Sequence, residues 1–428
     1  MHLTDAEKAM LDGAKGPAHR KAMELLVRYG EALGAERLVE TGSVAGTWSV
    51  ANPIVRDYAA RGMDAVFSEF NLDSDEVVEV PPMETLACQL IGGLDRRRPD
   101  VMGIAPGIAA LNEAGERHFG ARGVAMHATC TPYQVGVVPV LGEHLAWMES
   151  SAVVYANAVC GARTNTEGRE STGAAALTRR IPYWGLHLPE NRAGTHLVQV
   201  EVDVPPEMLD WGLLGYWVGE AVQDAIPVVE GRVAGRPSLI HLKHFGAAAA
   251  SSGGVEMYHI PGTTPEAPDR DAALRGRPPV ATLRYGAAER AWAHAALNGS
   301  ARDRAVDFVM LGCPHNSVEQ VLRVVRALEG RRISASSALW VFAPRALAEV
   351  AEASGHGDAI RAAGGQLMSD TCPAISRILP KGAKVVATDS AKQAHYLPAI
   401  AGVQCWFGSV EECVDAAVTG HWNGRAPC

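Results

Sequence analysis

Strand-like, mostly apolar runs mark the last third of the chain, at 307–311, 339–343, 366–369, 384–388 and 403–407. Between them, 317–328, 345–354 and 409–419 switch to helical spacing. Runs apolar at most positions read as buried strands, and such strands alternating with amphipathic helices predict a parallel, doubly wound α/β sheet. Val318, Val321, Leu322 and Val325 keep one helix face apolar, while Ser317 with Gln320 and Ser409 with Glu412 supply capping boxes. Ligands of such sheets gather outside the carboxyl ends of the strands, where loops meet helix N-termini. The loops carrying Cys313, Cys372 and Asp389-Ser390-Ala391-Lys392 all fall at those ends.

The upstream pattern is less regular. Residues 5–33 predict one helix, opened by Thr4 with Glu7 and closed by Gly34. From 37 to 125 short apolar runs alternate with Gly/Pro turns, Ala65-Val66-Phe67 leads into Asn71-Leu72-Asp73, and 83–90 is predicted helical. Periodicity leaves 146–158 open between helix and buried strand. The alternation at 196–204 predicts a half-buried strand, 210–225 a helix, 238–245 and 255–260 two further strands, and 264–280 a surface loop. His241 and His244 would face opposite sides of such a strand, so the His-x-x-His spacing is not read as a ligand pair. Two lobes are expected, 1–290 and 291–428.

With 428 residues, 47% hydrophobic and 20% charged, the chain has the composition of a globular protein large enough for more than one lobe. A net charge of −9 gives no footprint for nucleic acid. No run is long and uncharged enough for a membrane span, and the polar N-terminus does not read as a signal peptide, so a cytoplasmic location is expected. Gly-x-Ser-x-Gly, Walker A, His-Glu-x-x-His and Gly-x-Gly-x-x-Gly after a strand are all missing from the sequence, so the usual hydrolase, NTPase, zincin and dinucleotide readings gain nothing.

Eight scattered cysteines do not resemble a disulfide framework. Cys88, Cys160, Cys405, Cys413 and Cys428 read as small apolar residues. Cys130, Cys313 and Cys372 differ: each follows strand-forming residues and sits in a turn beside Pro, Thr or Gly, where a side chain is presented rather than packed. Three thiolates around iron leave one coordination position for substrate. The segment 149–165 places Glu149, Ser150, Ser151, Asn157, Arg163 and Asn165 among apolar residues, a set suited either to clamping a carboxylate in the fork of Arg163 or to a structural ion pair of that arginine. Thr264, in Gly262-Thr263-Thr264-Pro265-Glu266, sits either in an anion-binding turn or in a tight connection.

The motifs resemble those of the aconitase X family. The resemblance runs through Cys130-Thr-Pro-Tyr133, 142–157, Gly161-Ala-Arg-Thr-Asn165, Gly185-Leu-His187 and Phe245-Gly246. It continues through Ser251-Ser-Gly253, His259, 262–267, Gly312-Cys-Pro-His315, Asp370-Thr-Cys-Pro373, Asp389-Ser390, Lys392 and Tyr396, and so covers most of the chain. It implies an aconitase-like multi-lobed fold and a hydro-lyase whose iron–sulfur cluster, 2Fe-2S or 4Fe-4S, or else a mononuclear iron, is held by Cys130, Cys313 and Cys372. It also implies a small swivelling domain on a separate subunit, carrying a serine as candidate base. Lys392, Glu149, Ser390 and His315 are the in-chain candidates for catalytic support, and Arg163 for stabilising enediolate charge. Of the two activities the resemblance implies, the Ala/Arg-rich, bacterial-looking composition favours cis-3-hydroxy-L-proline as substrate, with mevalonate 5-phosphate as the alternative and a non-catalytic iron–sulfur sensor as a further rival. The chain departs from the family pattern at Thr41-Gly-Ser-Val-Ala-Gly46 and Ser68-Glu-Phe-Asn-Leu-Asp73, which makes Ser43, Glu69 and Asn71 candidate substrate contacts.

Overall fold

The computed structural model describes residues 1–50, 56–233 and 235–425, so Cys428 lies outside the described residues. Three parallel sheets organise the chain. The first has four strands in the order Val124–Ala125, Leu86–Gln89, Ser43–Gly46, Leu145–Trp147. The second has three, with His196–Val204 between Pro227–Val233 and Ala281–Tyr285. The third has five, in the order Gln366–Met368, Ala338–Phe342, Phe308–Leu311, Val385–Thr388, Gln404–Phe407. Numbered along the chain, that order is 3-2-1-4-5, the doubly wound arrangement expected from the apolar runs. It places a topological switch point between Phe308–Leu311 and Val385–Thr388. Cys313 leaves the first of these strands and Asp389 the second, so both loops open onto the same crevice.

Several upstream elements differ from expectation. The 5–33 stretch is two helices, Asp5–Leu11 and Pro17–Ala32, because Gly13 and Gly16 take left-handed φ between them and Pro17 starts the second. Residues 83–90 are not helical. Leu86–Gln89 is a strand flanked on both sides, and Ala87 and Cys88 are buried because both faces of that sheet are covered. Ala65–Phe67 and Asn71 lie within a helix, Met63–Leu72. The 146–158 ambiguity resolves as both alternatives: strand Leu145–Trp147 runs into helix Ser150–Tyr155 and a π-helical turn, Ala156–Cys160.

The predicted strand at 238–245 is the start of a helix, Leu239–Ser252. Ser238 accepts from His241 N, His241 Nδ1 accepts from Ser238 N, and the alanines that follow favour the helix strongly. Gly215 and Gly219 let this helix pack tightly on Met208–Val222. A Cβ at Gly215 would lie 2.3 Å from Phe245 O, and one at Gly219 2.4 Å from Ala249 O. Residues 255–260 make only a bridge, Val228 to His259, and 264–280 contains a short helix, Arg270–Leu274. Among the described residues no helix is long and apolar enough to cross a membrane.

Candidate active site

Cys130, Cys313 and Cys372 reach one apolar cluster from three loops, each sulfur-bearing side chain only 5–6% exposed. Cys130 follows the edge strand of the first sheet, and Cys313 and Cys372 follow two strands of the third. The carboxyl ends of two parallel sheets therefore meet here. Gly312, at φ +102°, is required for the turn into Cys313, because a Cβ there would stand 2.3 Å from Phe342 O. Asp370, also left-handed, sets up the turn into Cys372. Its carboxylate is gripped by Arg345 at 2.8 and 2.9 Å, and Arg345 in turn holds Glu116 of the helix Pro106–Gly120.

The thiols sense one another. Burial, then Glu149 and Cys313, push the Cys130 thiol well up; burial and Cys313 push Cys372 up to about 12; burial raises Cys313. All three are free thiols. Among the described residues no three His, Cys, Asp or Glu side chains stand close enough as placed to hold an ion. The donor chemistry nonetheless fits a thiolate-bound centre. His315 N points at Cys130 Sγ (3.3 Å) and Gln393 Nε2 at Cys372 Sγ (3.8 Å), amide donors of the kind that support metal-bound sulfur.

Lys392 and Glu149 come together beside the thiols as an ion pair. Lys392 also reaches Ser150 Oγ (3.3 Å), and Ser151 Oγ donates to Glu149 at 3.2 Å. Burial alone would raise Glu149, but the Lys392 ammonium outweighs it and holds the carboxyl below its usual range. Burial alone would lower Lys392, but Glu149 and Cys313 outweigh it and keep the amine charged. Ser390 caps the helix Ala391–Ala401 through Gln393 N (3.2 Å) and stands beside Cys313.

His315 is close to the centre but not free to move protons. Its Nε2 faces Thr371 O at 3.1 Å, an acceptor only, so that nitrogen carries the hydrogen. Nδ1 then accepts from Thr129 Oγ1 at 2.9 Å. Burial lowers its pKa to about 4, so the ring is neutral and locks the Cys130 loop to the Cys372 loop.

The other expected substrate contacts are taken up internally. Trp147 Nε1 donates to Ser43 Oγ. Asn71 donates to Thr47 O and Arg169 O and accepts from Arg169 Nε, and Glu69 pairs with Arg61. Asn157 donates to Thr164 O and Glu256 O and accepts from Thr164 N. Asn165 bonds Leu186 N and Trp184 O, and Thr264 closes a turn on Ile260. Buried amides and hydroxyls must find partners, and here neighbouring backbone supplies them. Arg163 lies level with His144, at the start of the strand whose far end leads to Glu149, and so away from the ion pair.

Sequence reasoning missed Lys243, because the wrong element was assigned to 238–245. The helix Leu239–Ser252 buries its ammonium, which donates to His315 O (2.9 Å) and to Gln320 Oε1 (2.5 Å). Burial lowers Lys243 to about 8. The available signal was Ser238 three residues before His241, followed by an alanine run.

Family models for the aconitase X first, second and third domains match residues 1–190, 194–294 and 306–419. The phosphomevalonate dehydratase large subunit of Methanothermobacter thermautotrophicus is 34% identical over 95% of this chain and 96% of its own. The cis-3-hydroxy-L-proline dehydratase of Pseudomonas aeruginosa is 34% identical over 98% of this chain and 70% of its own. The crystal structure of Thermococcus kodakaraensis aconitase X in its holo form matches with a TM-score of 0.80 at 29% identity, covering 97% of this chain and 100% of that one.

Proposed function

Because this chain belongs to the aconitase X family, whose relatives are named dehydratases, we propose that it removes water from a small hydroxylated carboxylate, cis-3-hydroxy-L-proline first among them. The observation that carries this reading is the meeting of Cys130, Cys313 and Cys372 in one buried cluster next to the Lys392–Glu149 pair. An iron–sulfur centre of two or four irons, or a single iron, held by the three thiolates would supply Lewis acidity toward the departing hydroxyl.

The chain's own residues would do the rest. Lys392, kept protonated, offers positive charge where the substrate carboxylate gains electron density, and Glu149 fixes the direction of that ammonium. Helix Ala391–Ala401 begins beside Lys392, and the positive end of its dipole favours an anion there. Removal of the α-proton needs a base within hydrogen-bond reach. Lys392 is charged, Glu149 is ion-paired and both His315 nitrogens are engaged, which supports a proton acceptor arriving on a second, small swivelling subunit. That several relatives are called large subunits supports the same partner. We place the protein in the cytoplasm, where thiols stay reduced.

Both lysines beside the thiols are already committed, Lys392 to Glu149 and Lys243 to Gln320 and His315 O, which favours a monocarboxylate over a phosphate dianion. The second reading, mevalonate 5-phosphate, is supported by the likeness to several phosphomevalonate dehydratase large subunits. Anaerobic purification is expected to give a brown protein with iron and sulfide, and Cys313→Ser to lose both. Assays of both substrates with a co-purified small partner then choose between them. A colourless, iron-free protein with full dehydratase activity would overturn the reading.

A further inference from the structure

At the opposite end of the strand Leu145–Trp147 from Glu149, basic groups gather without a matching acid. Arg163 pairs in parallel register with His144, its N–H bonding Glu143 O, while Thr166 bridges Trp147. Five residues of extended chain, roughly 16 Å at about 3.3 Å each, separate His144 from Glu149. His144 Nδ1 lies 2.9 Å from His187 Nδ1, and Arg163 Nη1 is 3.4 Å from His187 O.

Charge here is uncompensated. Among the described residues no carboxylate is within ion-pair range of Arg163, and its buried Nε has no partner. His187 is fully buried and its Nε2 is also unpartnered. Arg192, nearby, is neutralised by Glu266 and saturated by Asn157 and Leu186 O, so it neither needs nor supplies an anion. The carboxylate of Glu143 is turned to Val140 N. Burial, together with the surrounding arginines, lowers both imidazoles, His144 to about 4 and His187 to about 3. A partly buried guanidinium with an unsatisfied N–H is costly unless an anion completes it.

The histidine contact adds donors. One imidazole must present Nδ1–H to the other's Nδ1 lone pair, so when both rings are neutral one of them carries its hydrogen on Nε2. One extra proton on the pair would turn both Nε2 atoms into donors, a state that a bound oxyanion would stabilise.

We propose that Arg163, His144 and His187 form a second oxyanion site, of phosphate or carboxylate class, separate from the cysteine centre. The inference does not rest on the dehydratase reading. Calorimetry with inorganic phosphate on the full chain is expected to give saturable one-to-one binding. Arg163→Gln should weaken it at least about tenfold, Arg163→Lys less, and Cys313→Ser not at all, the last separating this site's failure from failure of the cysteine centre. Imidazole nitrogen NMR signals of His144 and His187 should move with phosphate in the wild type. Two sources of the oxyanion are separable. Phosphate binding blocked by a saturating phosphorylated hydroxy acid assigns the site to a substrate's charged end, and unblocked binding assigns it to a free anion. Absence of saturable binding, or a folded Arg163→Gln protein that binds as wild type does, would overturn the proposal.

Discussion

Removing both members of the Lys392–Glu149 pair should cost no more than removing either one. The side chains are only 15% and 17% exposed, so neutralising one leaves a poorly hydrated charge beside three thiols. Breaking a buried pair from one side costs about 3–5 kcal/mol, and the residual exposure here argues for the lower end, about 3 kcal/mol for Glu149→Gln or Lys392→Met. The double variant leaves no stranded charge and should also lose about 3 kcal/mol rather than 6, a coupling of about 3 kcal/mol. Urea denaturation of the four proteins, followed by tryptophan fluorescence, measures it. The pH dependence is fixed by the same pair. Glu149 is lowered in the folded chain, so its contribution is present above the ordinary 4.5 and is lost as pH falls. Lys392 is raised, so its contribution is present below the ordinary 10.5 and is lost as pH rises through the higher folded value. The coupling should therefore stay flat from about pH 5 to pH 10. Losses that simply add, within about 0.5 kcal/mol, would refute the picture of a buried pair.

Gly312→Ala should destabilise the Cys313 turn by more than about 2 kcal/mol, since the new methyl meets Phe342 O at 2.3 Å in a left-handed conformation; Gly330→Ala, equally left-handed but with nothing within 4 Å, should cost about 1 kcal/mol, and equal effects in a denaturation series would count against the argument. His315 is neutral when folded, with its pKa depressed from 6.5 to about 4, so the unfolded chain takes up the proton first and metal-free stability should fall by up to about 3 kcal/mol between pH 6.5 and 4. His315→Gln should flatten that slope, and an unchanged slope in acid-titrated unfolding would assign it to other groups.

The five-stranded sheet was legible because its strands are mostly apolar and helices beside it begin at capping boxes such as Ser317 with Gln320. The misread elements share a cause. Leu-Ile-His-Leu at 239–242 carries strand-like residues, yet the helix is decided by the Ser238 cap and by packing on Gly215 and Gly219, neither visible in local periodicity. Leu86–Gln89 is too short to show a period and is a strand only because two neighbours pair with it. The three cysteines stood out by their turns. The polar residues of 149–165 did not sort themselves, since Glu149 and Asn157 look alike in sequence while one meets Lys392 and the other ties backbone to backbone.

Because the first sulfur sits at position 130 and the last at 372, a ribosome must add some 240 residues before the trio exists. At about 5–20 residues per second that is on the order of ten to fifty seconds, during which Cys130 is exposed to oxidants and stray metal ions. Loading of the proposed cluster would have to follow synthesis through Cys372, so slow synthesis under aerobic stress should accumulate a damaged, metal-free form.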